Sequence, residues 1–192
     1  MTTIAVVQKN GYAAIAADTM TKWGSGKETA SYITNHGKIL RVGNTYLGIT
    51  GNSTFHAILR DYFERPRVYA RFESPQEIFK TWQKLHAVLK QDYYLLPTHA
   101  DDEAIESSRM DVLILNSHGI FGVAAHRTVQ EFSKFYAFGS GGDIAMGVMY
   151  ATYEDDKRSA EAIARHAIEG AAEFDDSTGV PVTSYALKLR RR

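Results

Sequence analysis

The sequence predicts an α+β protein, a four-layer αββα sandwich of two antiparallel sheets flanked by helices. Three observations carry this. Strand pairs closed by tight Asn-Gly-type turns open the chain. The helical stretches come in two pairs, each following a group of strands. The strands neighbour one another in sequence and do not alternate singly with helices, which argues against a doubly wound parallel sheet. Two sheets face to face, with helices outside each, would bury all of these apolar faces. The 192 residues, 44% hydrophobic and 23% charged, suit one domain over 1–192 with a sizeable core.

Taken in order, residues 3–9 and 12–17 are apolar-rich and flank Asn10-Gly11, a strong hairpin signal. Residues 38–42 ("KILRV") and 45–50 ("TYLGIT") repeat the pattern around Gly43-Asn44, and "TKWGSGKETASY" between the hairpins reads as a loop. Helical spacing follows. Phe55, Ile58, Leu59, Tyr62 and Phe63 share a face behind the capping candidates Asn52 and Ser53. Ser74-Pro75 with Glu77 is a helix start. Ile78, Trp82, Leu85, Leu89 and Tyr93 extend its stripe, giving a helix over 75–96 that Pro97 stops. The acidic stretch "THADDEAIESSR", with Asp101, Asp102, Glu103 and Glu106, reads as a solvated loop. Strands return at 111–116 and 119–125 around Ser117-His118, and at 134–138. "GSGGD" opens a helix at 142–153, and a second follows at 158–173 with Ile163, Ala167, Ile168 and Ala171 inward. A strand at 182–188 ends the pattern. No repeat, low-complexity segment or linker interrupts it.

Composition narrows the function. The net charge is +0 and the pI about 7.1, so no global field favours nucleic acid or an anionic membrane, and the terminal "LRRR" reads as a solvated end. The absence of cysteine excludes disulfides, thiolate catalysis and cysteine zinc sites. No apolar run approaches the roughly 20 residues of a membrane helix. "IAVV" is too short for a signal-peptide core, so the cytoplasm is the expected location. The seven histidines form no HExxH, which leaves no metal candidate. There is no GxSxG elbow, and "GSGGD" lacks the GxxxxGK[ST] frame of a phosphate loop.

The N-terminus remains. Thr2 runs directly into an apolar strand. A threonine hydroxyl needs a base, and a free N-terminal threonine supplies its own, because an α-amine titrates near about 7.7–8.0. Methionine before a small residue is a usual substrate for removal during synthesis. By itself this pattern is equally that of an edge strand that begins early.

Five stretches in order change the balance. "TTIAVVQKNGYAAIAAD", "GKILRV", "LGITGN", "FGSGGDIAMGVM" and "EFDDSTG" resemble the proteasome β-subunit and HslV family of N-terminal-nucleophile hydrolases along nearly the whole chain. The resemblance implies that family's fold and the roles that follow. Thr2 would be the nucleophile, Asp18 the acidic residue closing the second strand, and Lys38 the cation near the threonine oxygen. Gly51 would offer its N–H to the oxyanion. Ser140, Asp175 and Thr178 would form a hydrogen-bonded set around the new amino terminus, with Thr178 in place of the usual serine. Thr21, His36, Ile49 and Ser53 would line the primary specificity pocket. No cofactor or metal is implied. The implied partners are copies of the chain in stacked six- or seven-membered rings, unfolded protein or peptide substrates, and an unfolding ATPase or other regulator.

The chain departs from the family in three places. The Asp18–Lys38 spacing is a few residues long, Lys22 stands where a threonine is usual, and only Met1 precedes Thr2. The mixture most resembles the small bacterial proteasome-homologue branch. The expected function is a self-compartmentalising threonine endopeptidase subunit. A small-molecule amidase on the same fold and a non-catalytic ring subunit are the alternatives.

Overall fold

A computed structural model describes residues 2–96 and 104–190. It contains β1 (Thr3–Lys9), β2 (Tyr12–Ala17), β3 (Thr21–Trp23), β4 (Gly26–Glu28), β5 (Ile39–Val42), β6 (Thr45–Ile49), α1 (Thr54–Glu64) and α2 (Pro75–Gln91). There follow β7 (Val112–Asn116), β8 (Gly119–Val123), β9 (Val129–Phe132), β10 (Phe135–Gly139), α3 (Gly142–Thr152), α4 (Ala160–Phe174) and β11 (Thr183–Lys188). Pro97, the acidic residues 101–103 and the final two arginines lie outside the described residues.

The two opening hairpins enter different sheets. The first lies at the centre of a four-stranded antiparallel sheet, β10-β1-β2-β11, and the second begins the five-stranded meander β5-β6-β7-β8-β9. Strand alternation explains the layering. Ile4, Val6, Ala13, Ile15 and Ala17 point from β1 and β2 onto Leu113, Leu115 and Ile120 of the facing sheet. Ala5, Val7, Ala14 and Ala16 point the other way, and their small size lets α3 and α4 settle close through Ala145, Met149, Ile163, Ala167 and Ile168. Leu47, Ile49, Val112, Ile114 and Phe121 carry α1 and α2 on the outer face of the second sheet. The order is helix, sheet, sheet, helix. Gly48 lets the sheets meet, because a Cβ there would lie 2.6 Å from Ile4 Cγ2.

Four local readings are corrected. The stretch 21–28 is a small hairpin, β3–β4, turning through Gly24 at φ +57°, and it holds the extra residues between Asp18 and Lys38. The second helix ends at Gln91, five residues short of the expected 96; Asp92 closes it with an N–H to the Val88 carbonyl, and Tyr94 turns left-handed at φ +55°. Strand β9 is too polar and too exposed at Gln130 and Glu131 to show apolar alternation. Ser74 caps α2 by accepting the Glu77 N–H, a contact worth about 1 kcal/mol. Ser53 makes no such bond, and Asn52 Oδ1 takes the Thr54 N–H instead. Among the described residues no helix is long and apolar enough to cross a membrane.

Candidate active site

Thr2 lies immediately before β1 and is 6% exposed. Its carbonyl accepts the Ser140 N–H at 3.1 Å. Gly139 packs directly on that carbonyl, at φ +107°, and a Cβ there would fall 1.8 Å from the oxygen. Only glycine fits the position, both for its left-handed backbone and for this approach.

Asp18 ends β2 and is fully buried. A buried carboxylate must be satisfied, and this one is. Oδ1 accepts the Thr3 N–H at 3.0 Å and the Lys38 ammonium at 2.7 Å. Oδ2 accepts the N–H groups of Met20 and Gly179 at 3.1 and 3.2 Å. Lys38, one residue before β5, is 5% exposed and also donates to the Met20 carbonyl. Burial pushes the Lys38 ammonium below the ordinary lysine value. The charge and hydrogen bond of Asp18, and then the charge of Asp175, oppose that fall.

A second cluster lies beneath Thr2. Ser140 Oγ donates to Asp175 Oδ2 at 2.7 Å, and Thr178 Oγ1 donates to the same oxygen at 2.5 Å. Thr178 Oγ1 also stands 2.5 Å from Thr3 Oγ1, which accepts the Gly141 N–H at 2.9 Å. Thr3 therefore ties the start of β1 to both the 140–141 turn and the 175–178 loop. The sequence does not single Thr3 out; the one signal for it is the pair of consecutive threonines ahead of the strand.

Gly51 follows β6 at φ +101°, a conformation that an L side chain resists. A cleft of about 750 Å³ opens beside it, and Thr2, Lys38, Gly51, Thr21, His36 and Ser53 all line it. Ile49 does not. It is fully buried in the core beneath α1 and α2, because it shares its strand face with Leu47. Lys22, also on the cleft wall, is ion-paired with Asp176. His56 was not singled out from sequence, yet it lines the cleft. Its imidazole is pushed down to about 4, chiefly by burial, against a hydrogen bond to the Ile49 backbone and with help from the positive Lys38 and Arg60. It is neutral at pH 7.

The cleft thus combines a hydroxyl at a strand start, a buried cation held by a carboxylate, and a glycine turn whose backbone can come close to a bound group. Those are the parts of a nucleophilic acyl-transfer site.

Neither a scan of protein-family models nor a search of curated proteins returns a match. Solved structures do match. The chain is 53% identical to Thiobacillus denitrificans BPH over 99% of this chain and 100% of that one, with a TM-score of 0.94. The same protein in complex with epoxomicin matches at 53% identity over 98% and 100%, with a TM-score of 0.93. A eukaryotic HslV from Trypanosoma brucei shares the fold, with a TM-score of 0.72 and 19% identity over 97% and 99% of the two chains.

Proposed function

This chain belongs to the proteasome/HslV family of N-terminal-nucleophile hydrolases, on its BPH branch, and from that premise we propose that it is a self-compartmentalising threonine endopeptidase subunit. The observation that carries the proposal is the buried Asp18–Lys38 pair on the cleft that Thr2 also lines. Burying an ammonium and a carboxylate costs several kcal/mol per ion before pairing, and a surface strand end has no use for it.

In this reading Met1 is removed and Thr2 becomes the first residue. Its hydroxyl attacks a peptide carbonyl, and the proton passes to the α-amine, directly or through one water. Lys38 favours the developing alkoxide and keeps the nearby amine from holding a second positive charge. Asp18 keeps Lys38 charged and aimed. The tetrahedral oxygen rests on the Gly51 N–H. The protonated amine then gives its proton to the leaving amine, and water hydrolyses the remaining ester. Ser140, Asp175 and Thr178 hold the amino terminus in place through their shared hydrogen bonds. Thr21, His36 and Ser53 contact the substrate side chain. Subunits stack in rings, so that a broad cleft of this kind is kept from folded proteins.

The test is intact mass spectrometry before and after epoxomicin, which is bound to the BPH relative. A species lacking Met1 that gains one inhibitor mass, with no gain in Thr2→Ala, is expected. Retention of Met1 with no adduct would overturn the reading and leave a non-catalytic ring subunit. Turnover of amino-acid amides without peptide cleavage would move the assignment to an amidase.

A further inference from the structure

Residues 106–109 carry a cluster that the proposed cycle leaves unused. Ser108 Oγ stands 2.9 Å from His86 Nδ1, and His86 Nε2 stands 3.1 Å from Glu106 Oε2. A hydroxyl, an imidazole and a carboxylate in a row have the composition of a catalytic triad. Ser108, however, is 1% exposed, and no substrate can reach it. The row is better understood as a strut. At its outer end Lys90 of α2 holds both oxygens of Glu106, at 2.6 and 2.8 Å. Arg127 closes the side, donating to the Glu106 carbonyl at 2.7 Å. With Nε2–H donated to Glu106, Nδ1 of the neutral imidazole accepts the Ser108 hydroxyl.

At its inner end the strut reaches the proposed oxyanion turn. Ser108 donates its N–H to the Ala125 carbonyl at 2.7 Å. The next residue, Arg109, is left-handed at φ +58°, a conformation that a non-glycine residue resists. Its N–H is held by Ser107 Oγ at 3.0 Å. This twist brings the Arg109 carbonyl against the back of Gly51, where a Cβ would meet it at 2.9 Å and Met110 Cα at 3.4 Å. Thr50, one residue before Gly51, is bound to Asp111 through both its N–H and its hydroxyl. The Thr50–Gly51 turn therefore rests on residues 109–111. Backbone strain held at such a place is an observation from which a functional role can be inferred.

We propose that Ser108, fixed by His86, is a positioning residue that sets where the Gly51 N–H points, a role that rests on the threonine-peptidase reading above. Loss of the strut would let the turn recede from the cleft without altering the substrate pocket. Removing an oxyanion donor outright costs about 100- to 1,000-fold in kcat, so a displaced donor costs about tenfold.

The experiment is steady-state hydrolysis of a fluorogenic peptide by wild type, Ser108→Ala and Glu106→Gln. Rates are counted per epoxomicin-labelled site, so that misfolded subunits drop out. Ser108→Ala should lose about tenfold in kcat with KM within about twofold. Glu106→Gln, at the partly exposed end of the strut, should lose about two- to threefold in the same manner. If Ser108→Ala does not fold, Glu106→Gln decides. Wild-type kcat in the folded variants, or a change in KM alone, would overturn the proposal. Absence of labelling in the wild type would instead refute the Thr2 reading, and this role with it.

Discussion

Asp18 and Lys38 form one ion pair, yet their removal should have unequal effects on stability. In Lys38→Met the carboxylate keeps three backbone donors, the N–H groups of Thr3, Met20 and Gly179. Two hydrogen bonds are lost, the charge-assisted one to Asp18 at about 1.5–3 kcal/mol and the one to the Met20 carbonyl. The desolvation cost of a buried ammonium disappears with them, which offsets much of that loss. The carboxylate stays buried without its counter-ion, so the net destabilisation should be about 2 kcal/mol. In Asp18→Asn the amide can present only one oxygen. Its NH₂ must face either Met20 and Gly179 or Thr3 and Lys38, so two buried donors go unpaired at about 1–3 kcal/mol each. The 5%-exposed Lys38 also loses its counter-charge. The total should be about 4 kcal/mol. Urea unfolding at pH 7.5 measures both, at fixed protein concentration because assembly shifts apparent stability, and in a Thr2→Ala background to exclude self-cleavage. A Lys38→Met loss as large as that of Asp18→Asn would refute the reasoning, because the ammonium and not the backbone would then be holding the carboxylate. Both substitutions should abolish peptide hydrolysis when made with Thr2 intact.

Two further outcomes follow from the site. Thr3→Val preserves shape but strands the buried Gly141 N–H and removes the partner of Thr178 Oγ1; it should cost about 1–3 kcal/mol in urea unfolding, and a change below about 0.5 kcal/mol would count against the hub. His56 titrates near 6.5 when unfolded and about 4 when folded. Below pH 6.5 the unfolded chain takes up a proton that the folded chain refuses, so stability falls from pH 6.5 to 4 and is unaffected by this group above that window. The loss amounts to at most about 3.5 kcal/mol at about 1.4 kcal/mol per pH unit, of which about 2.5 kcal/mol is reached by pH 4.5. Unfolding free energies from urea at pH 7.5 and 4.5 should converge in His56→Gln by about that 2.5 kcal/mol.

Much of the sandwich was legible because its signals are local. Asn10-Gly11 and Gly43-Asn44 fix two hairpins by turn chemistry, and Ser74, Pro75 and Glu77 fix a helix start. Thr2, Lys38 and Gly51 were placed by resemblance, and they do share one cleft. The remainder depended on contacts across long stretches of chain. Thr3 looks like an ordinary strand residue until the Gly141 N–H and the Thr178 hydroxyl arrive. Gly139 looks like a turn glycine until the Thr2 carbonyl lies against it. Ile49 could have been excluded by strand alternation alone, since Leu47 two residues earlier is plainly a core residue. The end of α2 was misjudged because Tyr93 continues the apolar spacing although the backbone has already left the helix at Asp92.

The strand that presents Thr2 is an interior one, flanked by β2 on one side and β10 on the other, and Asp18 needs the N–H of Gly179. The first strand finds one partner early, in β2, but its other ladder and the last donor to Asp18 come only from residues 135–139 and Gly179. A ribosome-bound chain that stops short of β10 holds Thr2 on a strand with only one ladder, and one that stops short of Gly179 leaves Asp18 a donor short. A site assembled this way takes its final shape only after residue 179 has been made, an ordering in time that comes before any enclosure in space.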